Sequence, residues 1–149
     1  MAADAANPRQ HWLSVFSKAT VEALDGALAA LDRPDDVQWL RRPETGTVMT
    51  RGRMGGSGAP FNMGEMTITR AAVRLADGTV GMGYAAGRSH RKAELIALLD
   101  GLLQQTPGRA AAVLAPIEAA LAAARDEASR KAAATKVEFF TLVRGENAK

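Results

Sequence analysis

The chain is predicted to fold as α+β: an antiparallel β meander with N-terminal helices, two C-terminal helices packed on one face, and a final C-terminal strand joining the sheet. Three observations carry this. Apolar residues recur at helical spacing in the first thirty residues and again from Ser89 to about Ala134. Between them lie period-two runs punctuated by Pro, Gly and Asp-Gly. Last comes a stretch, Val137 to Val143, that is apolar on both faces.

In chain order, Asn7-Pro8 reads as an N-cap followed by proline at the first helical position. Trp12, Val15, Phe16 and Ala19 then keep helical spacing. Thr20 caps a second piece with Leu24, Leu28 and Leu31 on one side, either a separate helix or the continuation of one bent helix. Val37–Arg41 alternates as a strand, "RPETG" from Arg42 to Gly46 reads as a turn, and Thr47–Arg53 as the returning strand. Met66–Leu75 is a third strand whose alternation slips, which a β-bulge near Arg70 would repair. Asp77-Gly78 suits a two-residue type I′ hairpin. In the fourth strand Val80, Met82 and Tyr84 share one face, and Gly81 and Gly83 line the other with Gly87, open to close approach by another backbone.

Ser89 caps the next helix, with Leu95, Leu98, Leu99, Leu102 and Leu103 as its apolar stripe and Pro107-Gly108 as its stop. An alanine-rich helical region follows, in which Pro116 starts a fresh helix or kinks the existing one. Thr135–Asn147 is the final strand, central in its own sheet or buried against another chain. With 149 residues the chain is one domain, residues 1–149, with loose termini at about 1–6 and 145–149.

Composition narrows the functional classes. Cysteine is absent, so a disulfide framework, a thiolate zinc site and a thiol nucleophile are excluded. The two histidines, His11 and His90, are far apart, and no metal site is expected. The net charge of +3 and the few aromatics do not describe a nucleic-acid binder. The run Leu95–Leu103, broken by Asp100, is too short to span a bilayer, and a cytoplasmic protein with no membrane contact is expected.

The chemistry-bearing stretch is "RGRMGGSGAPFNMGEMTITR". Gly55, Gly56 and Gly58 can form an anion-binding concavity of backbone N–H groups, or simply a mobile connection between strands. The stretch has neither the Lys-Ser/Thr of a P-loop nor the dinucleotide spacing. Arg51 and Arg53 share a strand face, and Arg70 with Arg74 repeat the pattern on the neighbouring strand unless a bulge intervenes, so one arginine-lined face can take phosphate or pair with glutamates. Arg88, His90, Arg91 and Lys92 crowd the start of a helix, where the dipole disfavours cations and favours an anionic partner, or they are simply solvated. Met49, Met54, Met63, Met66 and Met82 concentrate around the sheet and read as core or interface filling.

"RQHWLSV", "PETGTVMTRGRMGGSGAPFNMGEMTITRAAVRLADGTVGMGYAAGR" and "KVEFFTLVRGEN" together resemble the PhnG subunit family of the bacterial carbon–phosphorus lyase system over nearly the whole chain. The resemblance implies a subunit of a hetero-oligomer with H, I, J and L proteins of the same system. It implies a part in synthesis of α-D-ribose 1-methylphosphonate 5-triphosphate, in which methylphosphonate displaces adenine from ATP. It places nucleosidase-type chemistry on the I subunit, and the iron–sulfur cluster and S-adenosylmethionine on the J subunit. No cofactor is implied on this chain, and no catalytic residue is transferred to it. The alternative is a stand-alone phosphate- or nucleotide-binding enzyme using the arginine-rich sheet face. Of the two readings of the glycine-rich stretch, the resemblance favours an arm for assembly, with phosphate contact through its arginines.

Overall fold

In the computed structural model, which describes residues 7–135, four helices lie against a three-stranded antiparallel sheet of order β1-β2-β3. Helix α1 (Pro8–Lys18) starts as its sequence dictates: Asn7 Oδ1 accepts the Arg9 amide at 3.0 Å and Pro8 occupies the first turn. Helix α2 (Val21–Ala30) is capped by Thr20, whose hydroxyl accepts the Ala23 amide at 3.3 Å. Ala19 and Thr20 are both extended, so these are two helices and not one bent one.

Strand β1 (Val37–Arg53) runs 17 residues without turning. The expected turn at Arg42–Gly46 is therefore corrected, and among the described residues the meander has three strands instead of four. The segment is taken up by two register shifts, between Trp39 and Arg41 and between Arg41 and Glu44. Pro43 lacks an N–H, and an irregular stretch of an edge strand is where a strand tolerates that. Strand β2 (Pro60–Leu75) begins six residues earlier than the alternation suggests. Its register with β3 (Val80–Ala86) is unbroken from Ile68 to Arg74, so the bulge expected near Arg70 lies in the facing strand β1. The slip in β2 has another cause. Thr69, fully buried, takes the core-face position ahead of Ala71, Val73 and Leu75, while Ile68 faces the other way.

The β2–β3 hairpin forms, but not by a type I′ turn. Gly78 alone in this turn has a positive φ, 91°, and its amide donates to the Leu75 carbonyl at 2.9 Å. Asp77 keeps a negative φ and its carboxylate accepts the Thr79 amide and hydroxyl.

Helix α3 (His90–Gln105), capped by Ser89, is the central helix. It lies directly on β3, because Gly81 and Gly83 present bare backbone to it. A Cβ at either glycine would overlap the carbonyl oxygen of Ala97 or of Ala93. The glycine-lined face of β3 is thus the one that a helix approaches closely, as its sequence suggests, and Met82 and Tyr84 on the opposite face are exposed. Leu95, Ile96, Leu99 and Leu103 of α3 form one core with Phe16, Leu24 and Val73.

Helix α4 (Ala110–Ala134) packs on α1 and α2 through Val113, Leu114 and Ile117. It runs continuously through Pro116, which therefore does not start a new helix. From Ala122 onward every residue of α4 is exposed. Thr135 closes the helix by donating its hydroxyl to the Ala132 carbonyl at 2.9 Å. Beyond Thr135 the expected C-terminal strand lies outside the described residues, as do both terminal segments expected to be loose. Among the described residues, no helix is long and apolar enough to cross a membrane.

Candidate functional site

The β1–β2 hairpin extends past the body of the protein. Strand β3 ends at Ala86, opposite Ile68, and the Gly87 amide donates to the Thr67 carbonyl at 2.9 Å, so from Val48 to the tip β1 and β2 are hydrogen-bonded only to each other among the described residues. The connection expected to be long and mobile is short. A 3-10 turn, Met54–Gly56, reverses the chain, with Gly55 and Gly56 at φ 61° and 80°. Conformations of that kind favour glycine over any other residue. The Gly58 amide donates to the Met54 carbonyl at 3.0 Å, and the Arg53 guanidinium donates to the Gly58 carbonyl at 2.9 Å. The glycines thus build a turn clasped by Arg53.

The two faces of this ribbon differ. Register pairs Val48 with Met66, Gly46 with Ile68 and Glu44 with Arg70 on the side away from the helices. It pairs Thr47 with Thr67 and Met49 with Glu65 on the other; the register shifts after Thr50 by an extra residue in β2, so the alternation of β1 carries Arg51 and Arg53 on along that same side. Arg51 and Arg53 therefore lie on the face opposite Arg70 and Arg74, which corrects the expectation of one arginine-lined face. Arg70 donates to Glu44 at 2.8 Å, and Arg41 pairs with the same carboxylate. Held by Arg41 and then Arg70, Glu44 sits below the usual carboxylate range.

At the start of α3, His90 is tied into a chain of hydroxyls. His90 Nε2 lies 3.1 Å from Thr45 Oγ1, which lies 3.1 Å from Thr69 Oγ1, which donates to the Gly87 carbonyl at 2.8 Å. A carbonyl only accepts, so the direction propagates: Thr45 donates to Thr69, and His90 Nε2–H donates to Thr45. His90 thus fastens α3 to the base of the hairpin. Arg91 donates to Asp25 of α2 and to Glu94. Burial pulls its guanidinium down, but the bonds and charge of Asp25 and Glu94 outweigh this and hold it above its ordinary value. Burial pushes the Lys92 ammonium below its ordinary value. Arg88 is exposed, immediately before the cap. Arg51, Arg53, Gly55, Gly56 and Gly58 therefore gather at the hairpin's far end, while Arg70, Arg88, His90 and Arg91 stay with the body; the structure does not join them into one cluster.

One polar centre was not among the sequence candidates. Asp100, wholly buried on α3, accepts from Arg9 at 3.1 and 2.8 Å, from Trp12 Nε1 at 2.9 Å and from the Met82 amide at 2.9 Å. Gln104 adds a donor to it at 3.3 Å and another to the Val80 carbonyl at 2.9 Å. The two side chains cap outward-facing backbone groups of the edge strand β3. The signal in the sequence was an aspartate inside a leucine stripe, which demands a buried partner. Between α1 and β3 runs an open groove lined by Arg9, Leu13, Met82 and Tyr84 among others. Among the described residues, no group of three His, Asp or Glu side chains is placed to hold a metal ion.

The chain matches the family described as "Phosphonate metabolism protein PhnG" over residues 7–145. It is also 42% identical, over 141 residues, to the "Alpha-D-ribose 1-methylphosphonate 5-triphosphate synthase subunit PhnG" of Rhizobium meliloti (strain 1021), an alignment covering 93% of this chain and 90% of that one. A family match across nearly the whole sequence, with a relative of that identity and coverage, establishes that the chain belongs to the PhnG family of phosphonate metabolism proteins.

Proposed function

We propose that this chain is a subunit of a synthase that makes α-D-ribose 1-methylphosphonate 5-triphosphate, a transferase in which methylphosphonate displaces adenine from ATP. The observation that carries the reading is the 42% identity over 93% of the chain to a protein bearing that subunit's name. The fold supports an assembling or co-catalytic role over independent catalysis. A two-stranded ribbon standing in solvent is marginal on its own and gains from a partner that covers it. The chain then works with H, I and L proteins in the synthase and with J in the wider core, cytoplasmic like its substrates. The iron–sulfur and S-adenosylmethionine chemistry belongs to J. A stand-alone phosphate-binding enzyme is the weaker reading, because Arg51 and Arg53 lie on the face opposite Arg70 and Arg74, so the arginines do not converge on one anion.

The test is co-expression with H, I and L proteins, followed by an assay of adenine release from ATP and methylphosphonate. The expected result is one complex that releases adenine, no release by the chain alone, and loss of release when the chain is omitted. Full activity of the partners without it, or turnover by the isolated chain, would overturn the proposal.

A further inference from the structure

The outer face of the sheet, away from the helices, has no covering layer among the described residues. Its composition is unusual for a solvated surface. Val48, Met66, Met82 and Tyr84 are exposed there, and at the hairpin Met49, Met54, Phe61 and Met63 are exposed as well. All the methionines except Met1 fall between residues 37 and 86, and all five are exposed. Scattered apolar residues on a surface need no explanation, but methionines and aromatics concentrated on one element mark a contact surface.

Charge points the same way. Residues 37–86 hold six arginines, no lysine and three acids, whereas the rest of the chain holds thirteen basic and thirteen acidic residues. The entire +3 excess therefore sits on the sheet segment. On the outer face Glu44 serves both Arg41 and Arg70, and Arg74 reaches neutral Gln38 at 3.4 Å. Two guanidiniums share one carboxylate and a third meets only a neutral amide, which leaves cationic capacity unmatched. Arginine without lysine suits bidentate pairing with carboxylates, and its planar head tolerates an interface better than an ammonium does. A nucleic-acid strand would need stacking platforms, and this face has Tyr84 with Phe61 on the hairpin.

We propose that the outer sheet face, continued along the hairpin, docks a protein partner whose surface is largely apolar and carries carboxylates opposite Arg70 and Arg74. This rests on the subunit reading above and adds to it which surface is buried and what chemistry meets it. Met66 and Met82 lie on this outer face on either side of Arg70 and Tyr84, and Met49 lies on the other face of the ribbon.

The experiment uses the full chain co-expressed with the other synthase subunits. Met66→Glu with Met82→Glu should reduce co-purification at least tenfold while leaving the thermal melt of the isolated chain unchanged. Met49→Glu should leave co-purification near wild type. Arg74→Glu should weaken association at least threefold at low salt, with the difference narrowing at high salt. A photocrosslinking side chain at position 66 should join the chain to a partner, and one at position 49 should not, which keeps the test decisive if the double variant fails to fold. Undiminished association of the outer-face variants, equal crosslinking at both positions, or release of the partner by nuclease would overturn the proposed surface. Failure of the wild-type chain to associate at all would overturn the subunit reading, and this surface with it.

Discussion

The carboxylate of Asp100 accepts two hydrogen bonds from the guanidinium of Arg9, ninety-one residues away, and joins helix α1 to helix α3 at the open edge of the sheet. The pair is lopsided: Asp100 is fully buried, while the Arg9 side chain is 37% exposed. The hydrogen bond to Asp100 holds Arg9 above its ordinary value. Charge, one indole N–H and one strand amide converge on a single carboxylate, so its lone pairs are fully used.

Asp100→Ala is expected to cost about 3–5 kcal/mol, the range for breaking a buried pair by removing one partner. It strands the Arg9 charge, the Trp12 N–H and the Met82 amide together. Chemical denaturation of the isolated chain reads this directly. A cost below about 1 kcal/mol would mean that water replaces the carboxylate, and that α1 is held by Trp12 and Phe16 packing alone.

Gly83→Ala is expected to lower stability by about 1–3 kcal/mol or more, because the new methyl overlaps the Ala93 carbonyl and α3 must lift from β3. Gly46→Ala is the control. Nothing lies within 4 Å of a Cβ there, so that change is expected to fall within about 0.5 kcal/mol of wild type. Thermal melts of the two variants side by side separate close approach from the general effect of removing a strand glycine.

Much of this architecture could be read from the chain, and the failures have local causes. The caps at Asn7, Thr20 and Ser89 are short-range chemistry and fall where the sequence puts them. The glycine face of β3 was legible as a place of close approach. Whether Met82 fills the core or an interface was not, because alternation names its face without saying what covers that face. Pro43 and Gly46 looked like a turn because turn chemistry and a bulged edge strand use the same residues. Thr69 broke the apolar period of β2 because a buried hydroxyl satisfied by Gly87 is invisible to a hydrophobic count. The arginines could be named singly. Sorting them onto faces required the β1–β2 register, which depends on contacts distant in sequence.

Thr69→Val removes the hydroxyl at the centre of the chain from His90 to Gly87. The Gly87 carbonyl loses a donor and Thr45 loses its acceptor, so a cost of about 1–3 kcal/mol is expected. The same network requires a proton on His90 Nε2. Nitrogen NMR of the wild-type imidazole at neutral pH should show Nε2 protonated, with that preference weakened in Thr69→Val. A wild-type His90 protonated on Nδ1 alone would contradict the direction assigned to the hydroxyl chain.

Glu44 supplies a pH test of the outer face. Its carboxyl, shared by Arg41 and Arg70, is held below the ordinary value of 4.5. A folded-state value below the unfolded one means that its contribution is fully present above the unfolded value and is lost as pH falls through the folded one. The residue is exposed and screened, so the readout should be its own titration and not global stability. In a side-chain NMR titration, wild-type Glu44 should titrate below an ordinary glutamate, and Arg70→Gln should move it upward. Because Arg41 is the larger influence, Arg41→Gln should move it further than Arg70→Gln does. Added salt should narrow all of these differences. If neither variant shifts Glu44, the three charges do not share one site in solution, and the arrangement of Arg41, Glu44 and Arg70 on this face is wrong.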